Sequence, residues 1–268
     1  MQIHEKVIIV TGGANGIGRE LIPILLAKGA KVIAIDKDEK GLQEIEQLTE
    51  HFSENYASYC IDLTDYKAVI ALKEQIHSDH RAIDVLVNDA GTIQQFVKIN
   101  TLDLNEIERV MDNNFYSMVI MTKAFLPHLL QRPEALIVNF SSMGGYLPVP
   151  GQGVYGASKA AVMLFTEALF AELLSTNVGV SLVFPGAIDT NIAVNSGVVI
   201  DAALAEQGGE KFKPMSPSKA AQMIVEGIEK DKYRIFLGSD AKFMNILYRI
   251  APKFATKYIA RQMALLLG

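Results

Sequence analysis

Lys6-Val7-Ile8-Ile9-Val10-Thr11-Gly12-Gly13-Ala14-Asn15-Gly16-Ile17-Gly18 is the stretch that decides the fold. Its first six residues are short, apolar and β-branched, the pattern of a strand buried on both faces. A glycine turn follows at once. A helical pattern comes next, with Leu21, Ile22, Leu25 and Leu26 on one side and Gly29 as its stop. Strand, glycine turn and helix open a mononucleotide-binding unit. Gly12 permits the tight turn, Gly16 lets the backbone approach a pyrophosphate, and Gly18 lets the helix pack close to the strand. The helix N-terminus then offers free N–H groups and a positive dipole end to the phosphates. The spacing is Gly-x-x-x-Gly-x-Gly, and Asn15 within it brings no positive charge. Pro23 interrupts the helix and is expected to bend it.

Working outward, Lys31-Val32-Ile33-Ala34-Ile35 ends in Asp36. A carboxylate at this strand end can accept both ribose hydroxyls of an adenosine. It repels a 2′-phosphate, so NAD is favoured over NADP, with Lys37 blunting the preference. Strand-like runs at Val7–Val10, Val32–Ile35, Val85–Val87, Leu136–Asn139 and Val180–Phe184 alternate with helical stretches. That alternation predicts an α/β, Rossmann-type, doubly wound parallel sheet with helices on both faces and right-handed crossovers. The 268 residues, half of them apolar, suffice to bury one large core. No repeat or Pro/Ser-rich linker divides the chain. The expected division is a catalytic domain over 1–240 and a tail over 241–268.

A first strand so close to Met1 leaves no room for a secretory signal, and no apolar run approaches the ~20 residues of a membrane span. The single cysteine, Cys60, excludes an internal disulfide and reads as strand core. These features suit a cytoplasmic protein. A net charge of −5 does not favour nucleic acid. His77 and His80 flank Asp79 without a third ligand nearby, His4, His51 and His128 are isolated, and no metal is assigned.

Further along, Val154-Tyr155-Gly156-Ala157-Ser158-Lys159 places a phenol and an ammonium four residues apart. On a helix both rise from one face. An ammonium beside a phenol favours the phenolate and draws its pKa down from ~10. A phenol so tuned can give or take a proton. Read alone, the pair is an ordinary solvated helix face.

The chain resembles the short-chain dehydrogenase/reductase family over nearly its whole length. Thr11-Gly12 through Gly18 is similar to that family's glycine motif, and Asp62 falls where its aspartate contacts the adenine. Asn88-Asp89-Ala90-Gly91 stands where the family has Asn-Asn-Ala-Gly, so Asp89 is a departure that puts one sheet-bracing contact in doubt. Asn114 matches the catalytic asparagine. Asn139-Phe140-Ser141-Ser142 carries the family serine at Ser142. Pro185-Gly186-Ala187-Ile188-Asp189-Thr190 matches the segment that holds the nicotinamide carboxamide.

The resemblance implies a catalytic set of Asn114, Ser142, Tyr155 and Lys159. It implies that the cofactor is held by Gly12, Asn15, Gly16, Ile17, Gly18, Asp36, Asp62, Leu63, Asn88, Ala90, Gly91, Tyr155, Lys159, Pro185, Gly186, Ile188 and Thr190. Tyr155 would protonate the carbonyl oxygen during reduction while Ser142 hydrogen-bonds it. Lys159 would bind the nicotinamide ribose, and Asn114 would hold a water leading from Lys159 to solvent. A homodimer or homotetramer through the helices around Phe115 and Tyr155 is implied as well. The reading is thus an NAD(P)-dependent oxidoreductase acting on a ketone or secondary alcohol. The alternative is a non-catalytic dinucleotide-binding sensor or scaffold, which has no physical need of the phenol and ammonium pair.

Substrate signals are fewer. Met143 to Pro150 is mostly apolar, and the resemblance makes it a pocket wall. Asn191 to Pro214 falls at the substrate lid, with Ile192, Val194, Val198, Val199 and Ile200 and a Gly208-Gly209 hinge. These favour a lipophilic substrate. From Ala241 to Gly268 there are five basic residues and no acidic one, with Arg249, Lys253, Lys257 and Arg261 at every fourth position. Pro252 is expected to break or restart that helix. Packing on the domain or a partner is favoured for the tail over contact with a membrane surface.

Overall fold

The computed structural model describes residues 1–80, 82–198 and 214–264. Among these, β-branched and apolar runs form seven parallel strands: β1 (Val7–Thr11), β2 (Lys31–Asp36), β3 (Tyr56–Cys60), β4 (Val85–Asn88), β5 (Ala135–Phe140), β6 (Val178–Pro185) and β7 (Arg234–Leu237). They lie in one sheet in the order β3-β2-β1-β4-β5-β6-β7. The chain builds outward from β1 through β2 to β3, then returns to place β4 on the other side of β1. That reversal opens a crevice beyond the carboxyl ends of β1 and β4.

Helix α1 (Gly16–Ala27) covers one face of the sheet together with α8 (Pro217–Glu229). Leu21, Ile22, Leu25 and Leu26 are buried there, each worth about 1.5–3 kcal/mol on leaving water. α1 continues through Pro23, which lies on its exposed side, and stops at Gly29, whose φ of 81° suits glycine. α2 (Glu39–Leu48) follows β2, capped by the Asp38 carboxylate on the Gly41 N–H at 3.0 Å. The other face carries α3 (Tyr66–Asp79), α5 (Ser117–Leu129) and α6 (Gly153–Leu173) over a second core that includes Val69, Met121, Phe125 and Leu169. α4 (Leu104–Met111) runs into a π-helical turn (Asp112–Tyr116) before α5 begins.

α6 is, among the described residues, the one helix whose length and apolar composition match a membrane span. It departs from the expectation that no apolar run approaches a span, although Lys159, Glu167 and Glu172 interrupt it. It lies along β5 and β6 and carries the candidate catalytic pair.

The tail is a pair of helices, α9 (Ser239–Ile250) and α10 (Pro252–Gln262), broken where Pro252 predicts. The four-residue basic repeat is therefore split: Arg249 lies on α9, and Lys253, Lys257 and Arg261 on α10. Met244 and Ala255 pack with Leu147, joined by Met143, Tyr146, Leu247, Tyr248, Tyr258 and Ile259.

Three expectations are corrected. Cys60 is exposed at the end of edge strand β3 and is not core. His77 and His128 are not isolated from one another, since their rings meet edge to face at 4.6 Å. Leu147 and Tyr146 are committed to packing against the tail, and the Tyr146 hydroxyl donates to the Ala241 carbonyl at 2.6 Å. Most of the expected lid, including Val199, Ile200 and Gly208-Gly209, lies outside the described residues. The part described is α7 (Ile192–Asn195) with its flanks.

Candidate active site

The glycine turn is shaped by close approach. A Cβ at Gly18 would overlap the Gly12 carbonyl oxygen, so only glycine lets α1 start this near β1. Gly16, at φ 55°, faces the Thr190 side chain, 3.6 Å from where a Cβ would stand. No side chain caps the first turn of α1, because Asn15 turns away and donates to the Asp38 carboxylate at 2.9 Å. An uncapped helix start beside a glycine cradle fits a pyrophosphate.

Around that cradle lies a cleft of about 480 Å³. Gly12, Asn15, Gly16, Ile17, Asp36, Asp62, Leu63, Ala90, Gly91 and Thr190 all line it. Asp36 is held by backbone donors: the Ala14 N–H reaches Oδ2 and the Asp38 N–H reaches Oδ1, each at 3.0 Å. A carboxylate has about four lone-pair sites, so both oxygens keep capacity for a ribose. Burial opposes ionisation of Asp62, yet the Thr64 N–H and hydroxyl and nearby Lys37 hold its carboxyl below the ordinary value. The residues described thus fit a dinucleotide.

Other expected cofactor contacts stand apart from the cleft lining. Asn88 is buried in the sheet, where its amide donates to Asn139 Oδ1 at 2.8 Å and to Thr122 Oγ1 at 3.3 Å. The sheet brace therefore belongs to Asn88, and the departure at Asp89 does not disturb it. Gly18 lies beneath the turn. Pro185 ends β6 and Gly186 follows it, where a Cβ would press on the Asp240 carboxylate. Ile188 packs on the first core.

The candidate catalytic side chains gather at one end. α6 presents Tyr155 and Lys159 on successive turns, as their spacing predicts. Its start is fixed by a residue that sequence reasoning missed. Gln94 is fully buried, and its Oε1 accepts from the Val154 N–H at 2.8 Å and the Tyr155 N–H at 3.0 Å. Its amide donates to the Gly151 carbonyl, while Gln152 donates to the Gln94 carbonyl. Gln94 thereby does for α6 what an N-cap side chain does elsewhere. A glutamine some 60 positions from its partners leaves no local sequence signal.

Ser142 Oγ accepts from the Gly144 N–H at 3.0 Å, and a Cβ at Gly144 would stand 3.6 Å from that oxygen and 3.3 Å from the Tyr155 ring, so serine and phenol face the same spot. Asn114 sits on the π-helical turn, an arrangement that aims a side chain an α-helix would turn aside. Its Oδ1 accepts from the Thr92 N–H at 2.7 Å, and its amide donates to the Thr92 carbonyl and Ser158 Oγ, each at 2.9 Å. A Cβ at Gly91 would lie 3.0 Å from Asn114 Oδ1 and 3.2 Å from Lys159 Nζ. Gly91 is thus the point where cleft and catalytic set meet.

The electrostatics differ from expectation. Burial pushes the Tyr155 phenol up; the Ser142 hydrogen bond opposes this and Asp89 adds to it. Lys159 does not act on Tyr155 as expected, because its ammonium is drawn to the Phe140 carbonyl at 2.9 Å. Burial pulls Lys159 down, with Asp89 opposing. Asp89, a cleft residue that the sequence reading set aside, is raised by burial against the pull of Lys159 and the Gly18 N–H. Thr92, Arg109, Asn113 and Ser117 also line the cleft unannounced. No group of three or more metal-ligating side chains occurs among the described residues.

The short chain dehydrogenase family matches residues 6–198. A Mycobacterium tuberculosis protein, SadH, whose name assigns it to the oxidoreductases, is 34% identical over 264 residues, covering 97% of this chain and 95% of that protein. A fatty acyl-CoA reductase of Acinetobacter baylyi is 30% identical over 254 residues, covering 93% and 81%. A Burkholderia phymatum short chain dehydrogenase/reductase in complex with NAD shares the fold at a TM-score of 0.86 and 22% identity, covering 95% and 96%. A Burkholderia cenocepacia short chain dehydrogenase in complex with NADP does so at 0.81 and 24%, covering 97% and 99%. The chain belongs to the short-chain dehydrogenase/reductase family and is an oxidoreductase that uses a nicotinamide dinucleotide.

Proposed function

We propose that this enzyme interconverts a lipophilic carbonyl compound and its secondary alcohol, with Tyr155 as the proton carrier and NAD as the preferred cofactor. The observation that carries the reading is the junction at Gly91, where Asn114 Oδ1 and Lys159 Nζ converge beside the cleft, with Tyr155 one helical turn before Lys159 on α6. The bound nicotinamide supplies or accepts the hydride. Tyr155 donates its proton to the carbonyl oxygen as negative charge grows there, and Ser142 hydrogen-bonds the same oxygen. Lys159, whose ammonium donates to the Phe140 carbonyl beside Gly91, stands where it would bind the nicotinamide ribose. Asn114 fixes the Thr92 peptide beside Gly91.

Asp36 supports NAD, since its charge repels a 2′-phosphate, whereas Lys37 lines the same cleft and moderates the choice. Ile192 on the cleft wall and the exposed Val194 beside it support a lipophilic substrate, in keeping with the acyl-CoA reductase among the relatives. An exposed apolar face on α6, with Leu164 prominent, supports pairing of two chains. We assign a cytoplasmic setting on the same footing.

The test is a panel of ketones and secondary alcohols spanning short polar to long-chain members, followed at the nicotinamide absorbance with NAD and NADP in parallel. Turnover rising with chain length and larger kcat/KM with NAD are expected. Saturable dinucleotide binding with no turnover of any member would return the sensor reading.

A further inference from the structure

The tail helices have two apolar faces, and only one is used. Ala241 and Met244 of α9 and Ala255 of α10 are buried toward the domain. On the opposite side of α9, Phe243 is 61%, Ile246 50% and Ile250 79% exposed, and Phe254 at the start of α10 is 61% exposed. Phe243, Ile246 and Ile250 stand at i, i+3 and i+7, within about 60° of one another around the helix at ~100° per residue. Four large apolar side chains in so short a span are not scattered surface residues.

Charge says what covers this ridge. Lys242, Arg249, Lys253, Lys257 and Arg261 are all exposed, and none forms an ion pair among the described residues. No acidic residue occurs from Ala241 onward, although the whole chain is net −5. Lys242 and Arg249 fall together on one flank of the α9 ridge. On α10, Phe254 shares its side of the helix with Lys257 and Arg261. A second copy seated here about a two-fold axis would set basic residues against basic residues. A surface with an apolar interior and anionic head groups satisfies both parts.

We propose that the α9–α10 pair docks the enzyme on an anionic lipid bilayer, with Phe243, Ile246, Ile250 and Phe254 entering the acyl boundary and the five cations meeting the head groups. The docked pair adjoins the site. Tyr146, four residues after Ser142, donates to the Ala241 carbonyl, and Asp240 accepts from the Ala187 N–H at 3.1 Å in the segment after β6. Docking holds the catalytic end near the lipid. The proposal does not depend on the substrate reading, because vesicle binding is measured without turnover.

The test is co-sedimentation of the full chain with phosphatidylcholine vesicles with and without phosphatidylglycerol. Binding at least tenfold tighter to the anionic vesicles is expected. Phe243→Ser with Ile250→Ser, and separately Lys253→Gln with Lys257→Gln, should each weaken it tenfold or more. The chain contains no tryptophan, so Phe243→Trp creates a single reporter that brominated acyl chains should quench. Wild-type protein that stays in the supernatant with anionic vesicles, or an unquenched reporter, would overturn the proposal. So would a halved mass by light scattering for the Phe243 and Ile250 double variant, which would assign the ridge to a second copy.

Discussion

The cofactor cleft and the start of α6 are assembled in opposite ways. The phosphate and ribose cradle of the cleft comes from consecutive chain: β1, the glycine turn, α1 and β2 lie within residues 7–36, and its contacts are largely backbone, while Asp62, Gly91 and Thr190 complete the lining from further along. The Tyr155 end comes from segments far apart. Gln94, Asn114 and α6 meet there through side-chain hydrogen bonds that are buried or partly buried, with Ser142 close by. A backbone-built site tolerates side-chain change so long as the turn closes. A site built on buried polar side chains fails when one partner is removed, because the other is left without water or a mate.

The largest expected effect breaks the second region alone. Tyr155→Phe should lower kcat by about 10³-fold or more, near the upper range for a lost general acid. Dinucleotide affinity, measured by titration, should change by less than about threefold, since the cleft is built elsewhere. A comparable loss of affinity would show the two regions to be one.

Next comes Gln94→Leu. It strands the Val154 and Tyr155 N–H groups and should cost about 2–6 kcal/mol of stability, at roughly 1–3 for each donor left unpaired. Thermal melting should fall by several degrees, and kcat should drop more than KM rises as Tyr155 loses its placement. Unchanged melting would remove Gln94 from the account.

Asp36→Ala sharpens the first region. It should weaken NAD by about tenfold, the scale of a hydrogen bond to a charged group, and NADP by less. Titrations with both dinucleotides check this, and equal losses would detach Asp36 from the ribose.

The smallest effect is a pH dependence at the seam. Asp89 is raised to about 7 from an ordinary 3.8, so between those values the folded chain keeps a proton that the unfolded chain has released. Its contribution to stability therefore falls as pH rises through that window. Lys159, lowered to about 8 from 10.5, acts oppositely above pH 8. The melting temperature of the protein alone should decline by a few degrees from pH 5 to 7. Asp89→Asn, which keeps an oxygen for the Gly18 N–H, should flatten that decline. An identical slope in the variant would place the titration elsewhere.

The same contrast explains what the sequence disclosed. The β1–α1–β2 unit is legible because strand, glycines, helix and Asp36 follow one another with the period each element needs. β3 was missed because Tyr56-Ala57-Ser58-Tyr59-Cys60 forms an edge strand with no continuous apolar run, and β7 because Arg234-Ile235-Phe236-Leu237 is too short to show alternation. The spacing of Tyr155 and Lys159 was readable, but the electrostatics between them were not. Those depend on the Phe140 carbonyl that draws Lys159 aside and on Asp89 reaching in from the end of β4. The tail's basic residues were evident in the chain; the second, uncovered apolar face required knowing which side packs on Leu147.

Thr92 ties these parts together. Its peptide is gripped on both sides by Asn114, and its hydroxyl donates to Ser196 Oγ at 2.8 Å just beyond α7 while accepting from Arg109. Ser196 also accepts from the Ile93 N–H at 3.0 Å. The end of α7 is thus fastened to the Thr92–Ile93 segment, and the peptide that fastens it is the one Asn114 holds.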